Sequence, residues 1–365
     1  AFKLCGILRA SSSFSFSPSF KRLLRRVFVW LSVFHLAFQL AWWVPEQWSR
    51  NDQNRDVTIY YAALQRLERG EAVYQPYENY GPHILPDRFF YPPPFLALLW
   101  PLRDLSFLWF SRLWYGLVLA AFWIFAACLA RIATGRWSWK SVLGAGLVLQ
   151  LTPGAAVAVA FGNFEPVMWA CYGLSVAALV CSRQARAALP LAFAVLMKLH
   201  PLWALSLVCF KGGRRAVWGA ALVLVSGIAL GMGASGWENG SQWWAATSPV
   251  VSQGNFYGGN LSLSFLGVRL VDWLGWNYET GPLPPLFRGY LALMSLGAPL
   301  LTLYFSRFKP LEWRVALLAA ATILFAPLCW GMYLPTLLLI PALWLRDAGV
   351  FRASEFQSSK SSSSF

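Results

Sequence analysis

The sequence predicts an all-α protein that crosses a membrane many times, and three observations carry that prediction. Of its 365 residues, 58% are hydrophobic and only 12% charged, about half the charged share of an average soluble domain. Apolar runs recur along the whole chain, each near the roughly 17–25 residues a helix needs to cross a hydrocarbon core of about 30 Å. Basic residues gather in the short loops between those runs, the pattern of cytoplasmic loops. The net charge of +15 is therefore a topological signal, and its scatter over short loops argues against a nucleic-acid partner.

Taken in order, the chain opens with an expected cytoplasmic tail, 1–26, rich in Ser and Phe and closed by Lys21, Arg22, Arg25 and Arg26. The first span, 27–44, reads as a retained anchor, because Trp42-Trp43-Val44-Pro45 offers no small-residue cleavage pattern. An outer loop, 45–106, then holds the longest polar stretch of the chain. Within it Ile59, Tyr60, Ala63, Leu64 and Leu67 recur at helical spacing, opposite Thr58, Gln65, Arg66, Glu68 and Arg69. They predict an amphipathic helix lying flat on the outer membrane surface and ending at Gly70. Asp56 at its head has two readings, an N-cap worth about 1 kcal/mol or a catalytic carboxylate. Residues 89–102 are apolar but too few to cross, and Pro92-Pro93-Pro94 removes helix donors near their start. A re-entrant or surface-lying segment is expected, with a proline-broken entry to an ordinary span as the alternative.

Further full spans are expected at 107–130, 141–161, 165–181, 215–234, 287–306, 313–328 and 331–346, about eight with the first. Two shorter apolar stretches, 187–198 and 201–210, meet at Lys198-Leu199-His200-Pro201 and fit either one long helix or a hairpin of two short ones. Arg183 and Arg186 precede them and Lys211, Arg214 and Arg215 follow; placing both flanks in the cytoplasm favours the hairpin and carries Lys198 and His200 to the outer face. Arg131, Arg136, Lys140, Arg307, Lys309 and Arg314 fall inside by the same path. Of the fifteen acidic residues only Glu312, Asp347 and Glu355 do, so chemistry is expected outside. A second outer loop, 235–286, carries Trp237, Trp243, Trp244, Trp273 and Trp276, suited to an interfacial belt or to stacking on sugars. A serine-rich cytoplasmic tail, 347–365, follows a single transmembrane domain, 27–346. The expected location is a bacterial inner membrane.

Cysteines and histidines point away from metal chemistry. Cys5, Cys128, Cys171, Cys181, Cys209 and Cys329 include no Cys-x-x-Cys pair, and His35, His83 and His200 are scattered. Neither a disulfide framework nor a zinc or catalytic metal site is signalled.

Three elements of the first outer loop, in this order and spacing, form a specific pattern: Asp56-Val57-Thr58-Ile59-Tyr60-Tyr61-Ala62-Ala63, Gly70-Glu71-Ala72-Val73-Tyr74, and Phe90-Tyr91-Pro92-Pro93 leading to Leu98-Leu99-Trp100-Pro101-Leu102. The pattern resembles the opening signature of glycosyltransferase family 87, membrane enzymes of the GT-C fold that include polyprenyl-phosphate-mannose-dependent α-mannosyltransferases. Gly162-Asn163-Phe164-Glu165 is similar to the family's short outer turn, usually Gly-Gln-x-Asn. Met197-Lys198-Leu199-His200-Pro201 is similar to its Lys-x-x-Pro break, and Asn260-Leu261-Ser262 to its Asn-x-Ser element. The likeness weakens over Ala326-Pro327-Leu328-Cys329-Trp330-Gly331-Met332-Tyr333, where relatives often carry a histidine-bearing turn and this chain has none.

The resemblance implies a GT-C-like fold and transfer of a sugar, mannose by analogy, from a polyprenyl phosphate to a lipid or glycan acceptor by one inverting displacement. An acceptor hydroxyl needs a base, and such help gives about 10²- to 10⁴-fold; the family's proposed base is the Asp of the opening motif, here Asp56. The leaving phosphate needs cations, for which Lys198, His200, Arg55, Arg88 and Arg269 are candidates. A lysine between apolar half-helices is a functional hypothesis by default, with snorkelling to the interface as its alternative; His200 equally suits packing. Tyr60, Tyr91, Asn163, Glu165, Asn260 and Trp330 are the candidates for acceptor or sugar contacts. No cofactor is expected beyond the lipid-linked donor, and membrane lipids are the remaining partners. The rival reading, a multi-span lipid or solute transporter or flippase, predicts inverted repeats with paired broken helices; the sequence offers one break, at 198–201.

Overall fold

The computed structural model describes residues 56–75, 89–253, 261–271, 273, 284–327 and 329–351, with six helical positions between Arg26 and Ala37. Among the described residues the regular elements are all helices, each of which pairs its backbone groups within itself. Of the expected first span only those scattered positions are described; Val27, Trp30 and Phe34 among them turn apolar side chains outward.

Helix α1 (Asp56–Glu68) forms where its apolar spacing predicts, and the chain leaves it at Gly70 with φ +69°, the left-handed stop that glycine adopts without penalty. Its stripe is covered by protein, not laid on lipid. Val57, Tyr60, Ala63 and Leu64 are buried, with Tyr60 packed edge-on against Phe89, Tyr91, Phe95 and Trp114. Helix α2 (Pro93–Leu99), with Pro93 and Pro94 in its first turn, continues as a 3₁₀ turn, Trp100–Leu102. It is a short apolar helix separate from the span that follows, and it packs on Gly231, where a Cβ would come within 2.6 Å of the Pro94 nitrogen.

Helix α3 (Phe107–Thr134) is the mast. Phe110, Trp114, Val118, Phe122 and Phe125 line its buried face at helical spacing, and Leu113, Leu117 and Ile124 face outward. Beyond it the expected span 141–161 is corrected. It is two helices, α4 (Trp139–Gln150) and α5 (Pro153–Ala160), bent by 87°. Pro153 lacks the donor that would continue α4 and forces Thr152 out of the helical region, to φ −80°, ψ 121°. Helix α6 (Glu165–Val180) is buried on nearly every side.

The stretch from 184 to 235 settles as the hairpin. Helix α7 (Gln184–Met197) ends at Lys198, whose extended backbone (φ −151°, ψ 138°) breaks the path. Helix α8 (Leu202–Ser235) starts four residues beyond Lys198 and bends at Gly213, φ +67°. Gly212 lies against Gln184, Gly219 against Leu189 and Gly227 against Leu196. Residues 202–212 therefore run antiparallel to α7, and 214–235 return parallel to it with Val217, Trp218, Leu222, Val225 and Ile228 exposed, as lipid-facing residues should be.

Helices α9 (Trp237–Gln253) and α10 (Leu263–Val271) lead to the paired α11 (Pro285–Phe305) and α12 (Leu311–Leu324). Past α12 the chain follows a 3₁₀ turn, Gly331–Leu338, into α13 (Leu339–Asp347). Three helices, α3, α8 and α11, are long and apolar enough to cross a membrane, and the bent α4–α5 pair adds a fourth. The count of about eight full spans is thus not reached among the described residues. Of the apolar run 313–328 the helix ends at Leu324, and the run 331–346 is a 3₁₀ turn followed by the 9-residue α13; α6, with 16 residues, and α7, with 14, are short apolar helices.

Two ends emerge. At one, Arg131 meets Cys181 at 3.8 Å and Arg346 binds Glu312 at 3.0 Å. At the other stand the head of α1, the turn 162–165, the break 198–201 and the 3₁₀ turn. That turn is held by backbone approach: a Cβ on Gly154 would sit 2.0 Å from the Gly331 carbonyl oxygen. Gly154→Ala therefore lowers unfolding stability in detergent by about 1–3 kcal/mol, the usual cost of overpacking, whereas Gly297→Ala, which meets nothing within 4 Å, leaves the thermal midpoint nearly unchanged.

Candidate active site

The turn Gly162-Asn163-Phe164-Glu165 organises the site. Gly162 has φ +64°, and its carbonyl accepts a 2.7 Å hydrogen bond from the buried Trp114 indole. A side chain there would press on Val57 of α1 and Tyr115 of α3, so the glycine lets both close on the turn. The backbone N–H of Glu165 donates to Asn163 Oδ1 at 2.8 Å. With its oxygen engaged, the Asn163 amide turns its NH₂ group outward, and Nδ2 donates to the Asp56 carboxylate. Asp56 and Asn163 stand 107 residues apart in sequence, so only the fold brings them together.

Two residues further on, Glu165 forms an ion pair and hydrogen bond with Lys198. The Glu165 side chain is 2% exposed and that of Lys198 18%. An ammonium so close to a sealed carboxylate is what makes either charge tolerable there. Lys198 Nζ also donates to the Tyr333 hydroxyl at 3.3 Å and lies 4.4 Å from the Tyr333 ring centre and 5.2 Å from that of Tyr91. These faces supply cation–π stabilisation that grows as water is excluded. Asp56 is thus tied through Asn163 to the backbone of Glu165, whose side chain holds the Lys198 ammonium.

Aromatic rings fix α1 against this path. Tyr60 donates to the Tyr91 hydroxyl at 3.2 Å, and Tyr74 to the Tyr91 carbonyl at 3.0 Å. Tyr91 stacks on Phe95 at 4.2 Å, and Phe164 meets Phe95 edge-on at 4.9 Å. Burial first, and the Asp56 carboxylate second, hold the Tyr60 phenol well above its ordinary pKa, so it remains a neutral donor.

The other candidates divide. His200 shares its Nδ1 with the Tyr172 hydroxyl at 3.2 Å and stacks on that ring, while its buried Nε2 has no partner among the described residues. It also lies 6.3 Å from the Tyr333 ring, which places it beside Lys198. Trp330 precedes the 3₁₀ turn that carries Tyr333. The Arg269 guanidinium rests over Phe265, 5.9 Å away, beside a separate small core of Phe265 and Leu291. Arg55, Arg88 and Asn260 lie outside the described residues, as do His35 and His83. Next to Asn260, Ser262 bonds the Ala326 carbonyl, and Ser264 and Ser295 bond that of Phe325 at 3.1 and 2.9 Å. These hydroxyls satisfy acceptors freed where α12 ends before Pro327.

Tyr333 and Tyr172 were not among the sequence candidates. Tyr333 had a signal, since it sits in the segment where relatives carry a histidine-bearing turn; Tyr172 had none, being one more aromatic in an apolar run. Among the described residues no group of three or more His, Cys, Asp or Glu side chains stands together.

Because Tyr60 combines a hydrogen bond with a fully packed ring, the two contributions separate by substitution. Tyr60→Phe costs about 1 kcal/mol of unfolding stability, the worth of one hydrogen bond, whereas Tyr60→Ala costs about 3–5 kcal/mol through the cavity it leaves; chemical unfolding in detergent distinguishes them.

No curated protein and no solved structure matches this chain. The profile of glycosyltransferase family 87 matches residues 89–331, a stretch that begins after Asp56 and includes Tyr91, the 162–165 turn, Lys198 and His200. That match spans more than half of the chain, and with the apolar helices around the site it establishes an integral membrane protein that belongs to glycosyltransferase family 87.

Proposed function

We propose that the protein transfers a sugar from a polyprenyl-phosphate donor to a hydroxyl of a lipid or glycan acceptor at the outer face of the membrane, with Asp56 as general base. The observation that carries this reading is the joining of Asp56 to Lys198 through Asn163 and Glu165. A base and a phosphate-binding cation are the two groups such a displacement needs, and one short turn holds both.

In the proposed reaction the acceptor oxygen attacks the anomeric carbon from the side opposite the lipid phosphate. As that bond forms, the hydroxyl proton passes to Asp56. The bond from the anomeric carbon to the phosphate oxygen breaks, and the polyprenyl phosphate leaves with the electron pair, its growing charge met by Lys198. Configuration inverts because there is one displacement. Asn163 holds the carboxylate in place, and His200, through Nε2, is a second donor for the phosphate when protonated there. Tyr60 and Tyr91 border the acceptor side; Trp330 is assigned to the sugar, and Arg55 and Arg88 to the approach of the donor. Mannose is the sugar the resemblance favours.

The outer face is favoured by charge. Arg131 lies in the last turn of α3, Arg183 and Arg186 at the start of α7, and Lys211 and Arg214 beside the bend of α8, at the end away from Asp56, and positive residues mark the cytoplasmic side.

Purified protein incubated with labelled polyprenyl-phosphate sugars and membrane lipid extract tests the reading. Asp56→Asn is expected to lose about 10²- to 10⁴-fold in transfer, and Asn163→Ala about 10²-fold through misplacement of the base, both with donor binding retained. Undiminished transfer by Asp56→Asn removes that residue from the mechanism, and no transfer from any donor removes the reading.

A further inference from the structure

Glu165 is a carboxylate with an unusually thin set of partners. Its side chain, 2% exposed, has Lys198 as its hydrogen-bond partner among the described residues. Buried ion pairs that serve structure fill the remaining lone pairs with further donors. Among the described residues Glu165 has no such further donor.

Lys198 is the more exposed partner. An ammonium has three donors; among the described residues one goes to Glu165 and one to Tyr333, leaving a third, and the lysine side chain keeps 18% exposure where the carboxylate keeps 2%. An anion arriving at the site therefore meets the Lys198 side chain before it meets Glu165. Two anions on one ammonium repel each other in a region poor in water, so an arriving phosphate has to weaken the existing pair.

We propose that Glu165 is the displaceable counter-ion of Lys198, and that a lipid-linked phosphate enters by taking the ammonium from this buried carboxylate. The inference rests on the donor reading given above and adds to it a mechanism of selection. Unpairing Glu165 subtracts from the affinity of every anion alike. A phosphate carried on a polyprenyl chain recovers the loss through its tail, whereas a free phosphate has nothing with which to recover it. Glu165 in this account is a positioning residue: it keeps Lys198 charged and aimed while the site is empty, and it excludes small anions.

Binding of a short-chain polyprenyl phosphate to the purified full-length protein in detergent, with and without millimolar inorganic phosphate, tests this. Wild type is expected to bind the lipid phosphate and to ignore inorganic phosphate. Glu165→Gln is expected to bind the lipid phosphate about tenfold or more tightly and to admit inorganic phosphate as a competitor. Glu165→Asp, whose shorter carboxylate keeps the charge balance, moves the same way by less and answers the question if the Gln variant does not fold. Weaker or unchanged binding by the folded Glu165 variants, with binding lost in Lys198→Met, overturns the exchange and leaves Glu165 as a fixed support of Lys198. If wild type binds no lipid phosphate and Lys198→Met behaves identically, the donor reading itself fails and takes the exchange with it.

Discussion

A carboxylate sealed at 2% exposure has to be given a cation, and the architecture around Glu165 answers that requirement. The cation comes from a lysine placed where α7 stops and α8 begins, so the break at 198–201 is as necessary as the charge. A continuous helix through Lys198 would carry its backbone past the turn 162–165 without the extended residue that lets the side chain reach in. Tyr333 and Tyr91 close around the ammonium, which ties the 3₁₀ turn after α12 and the loop before α2 to the same point. Elements far apart in sequence thus converge on one charge pair.

The aromatic cluster gives that point a rigid neighbour. Phe89, Phe95, Phe110, Trp114 and Phe164 are all fully buried with Tyr60, and close-packed rings hold their partners through many small dispersion contacts. Because Tyr60 is one helical turn beyond Asp56 on α1, fixing its ring fixes the helix head that presents the carboxylate. Asn163 then sets the last torsion by hydrogen bond. A base that must accept a proton from a positioned hydroxyl gains more from such restraint than from exposure.

Much of this was legible from the residues taken one at a time, and little of it from their pairing. The period of Tyr60, Ala63 and Leu64 gave α1, because a half-buried helix writes its period into its sequence, and Gly70 gave its stop. Basic residues on both flanks gave the hairpin at 198–201, since charge records sidedness even where apolar length is ambiguous. Length misled at 141–161: counting apolar residues passed over Pro153, which removes a donor and bends the path whatever its neighbours' hydropathy. The run 313–328 is shortened likewise, its helix ending at Leu324 ahead of Pro327. Asp56, Asn163, Glu165 and Lys198 each stand out in the sequence, where Asn163 and Glu165 suit the acceptor or sugar; that they face Asp56 and Lys198 is a property of tertiary packing across 107 and 33 residues of sequence.

The central claim is that a lipid-linked sugar lies between the Asp56 carboxylate and the Lys198 ammonium. The most direct measurement is an experimental structure of the protein with a non-reacting polyprenyl-phosphonate sugar analogue. The account predicts a phosphonate oxygen within hydrogen-bonding distance of Lys198 Nζ, with the sugar on the Asp56 side of it. A phosphonate bound among other residues, with the Glu165–Lys198 pair intact and no sugar near Asp56, would contradict it.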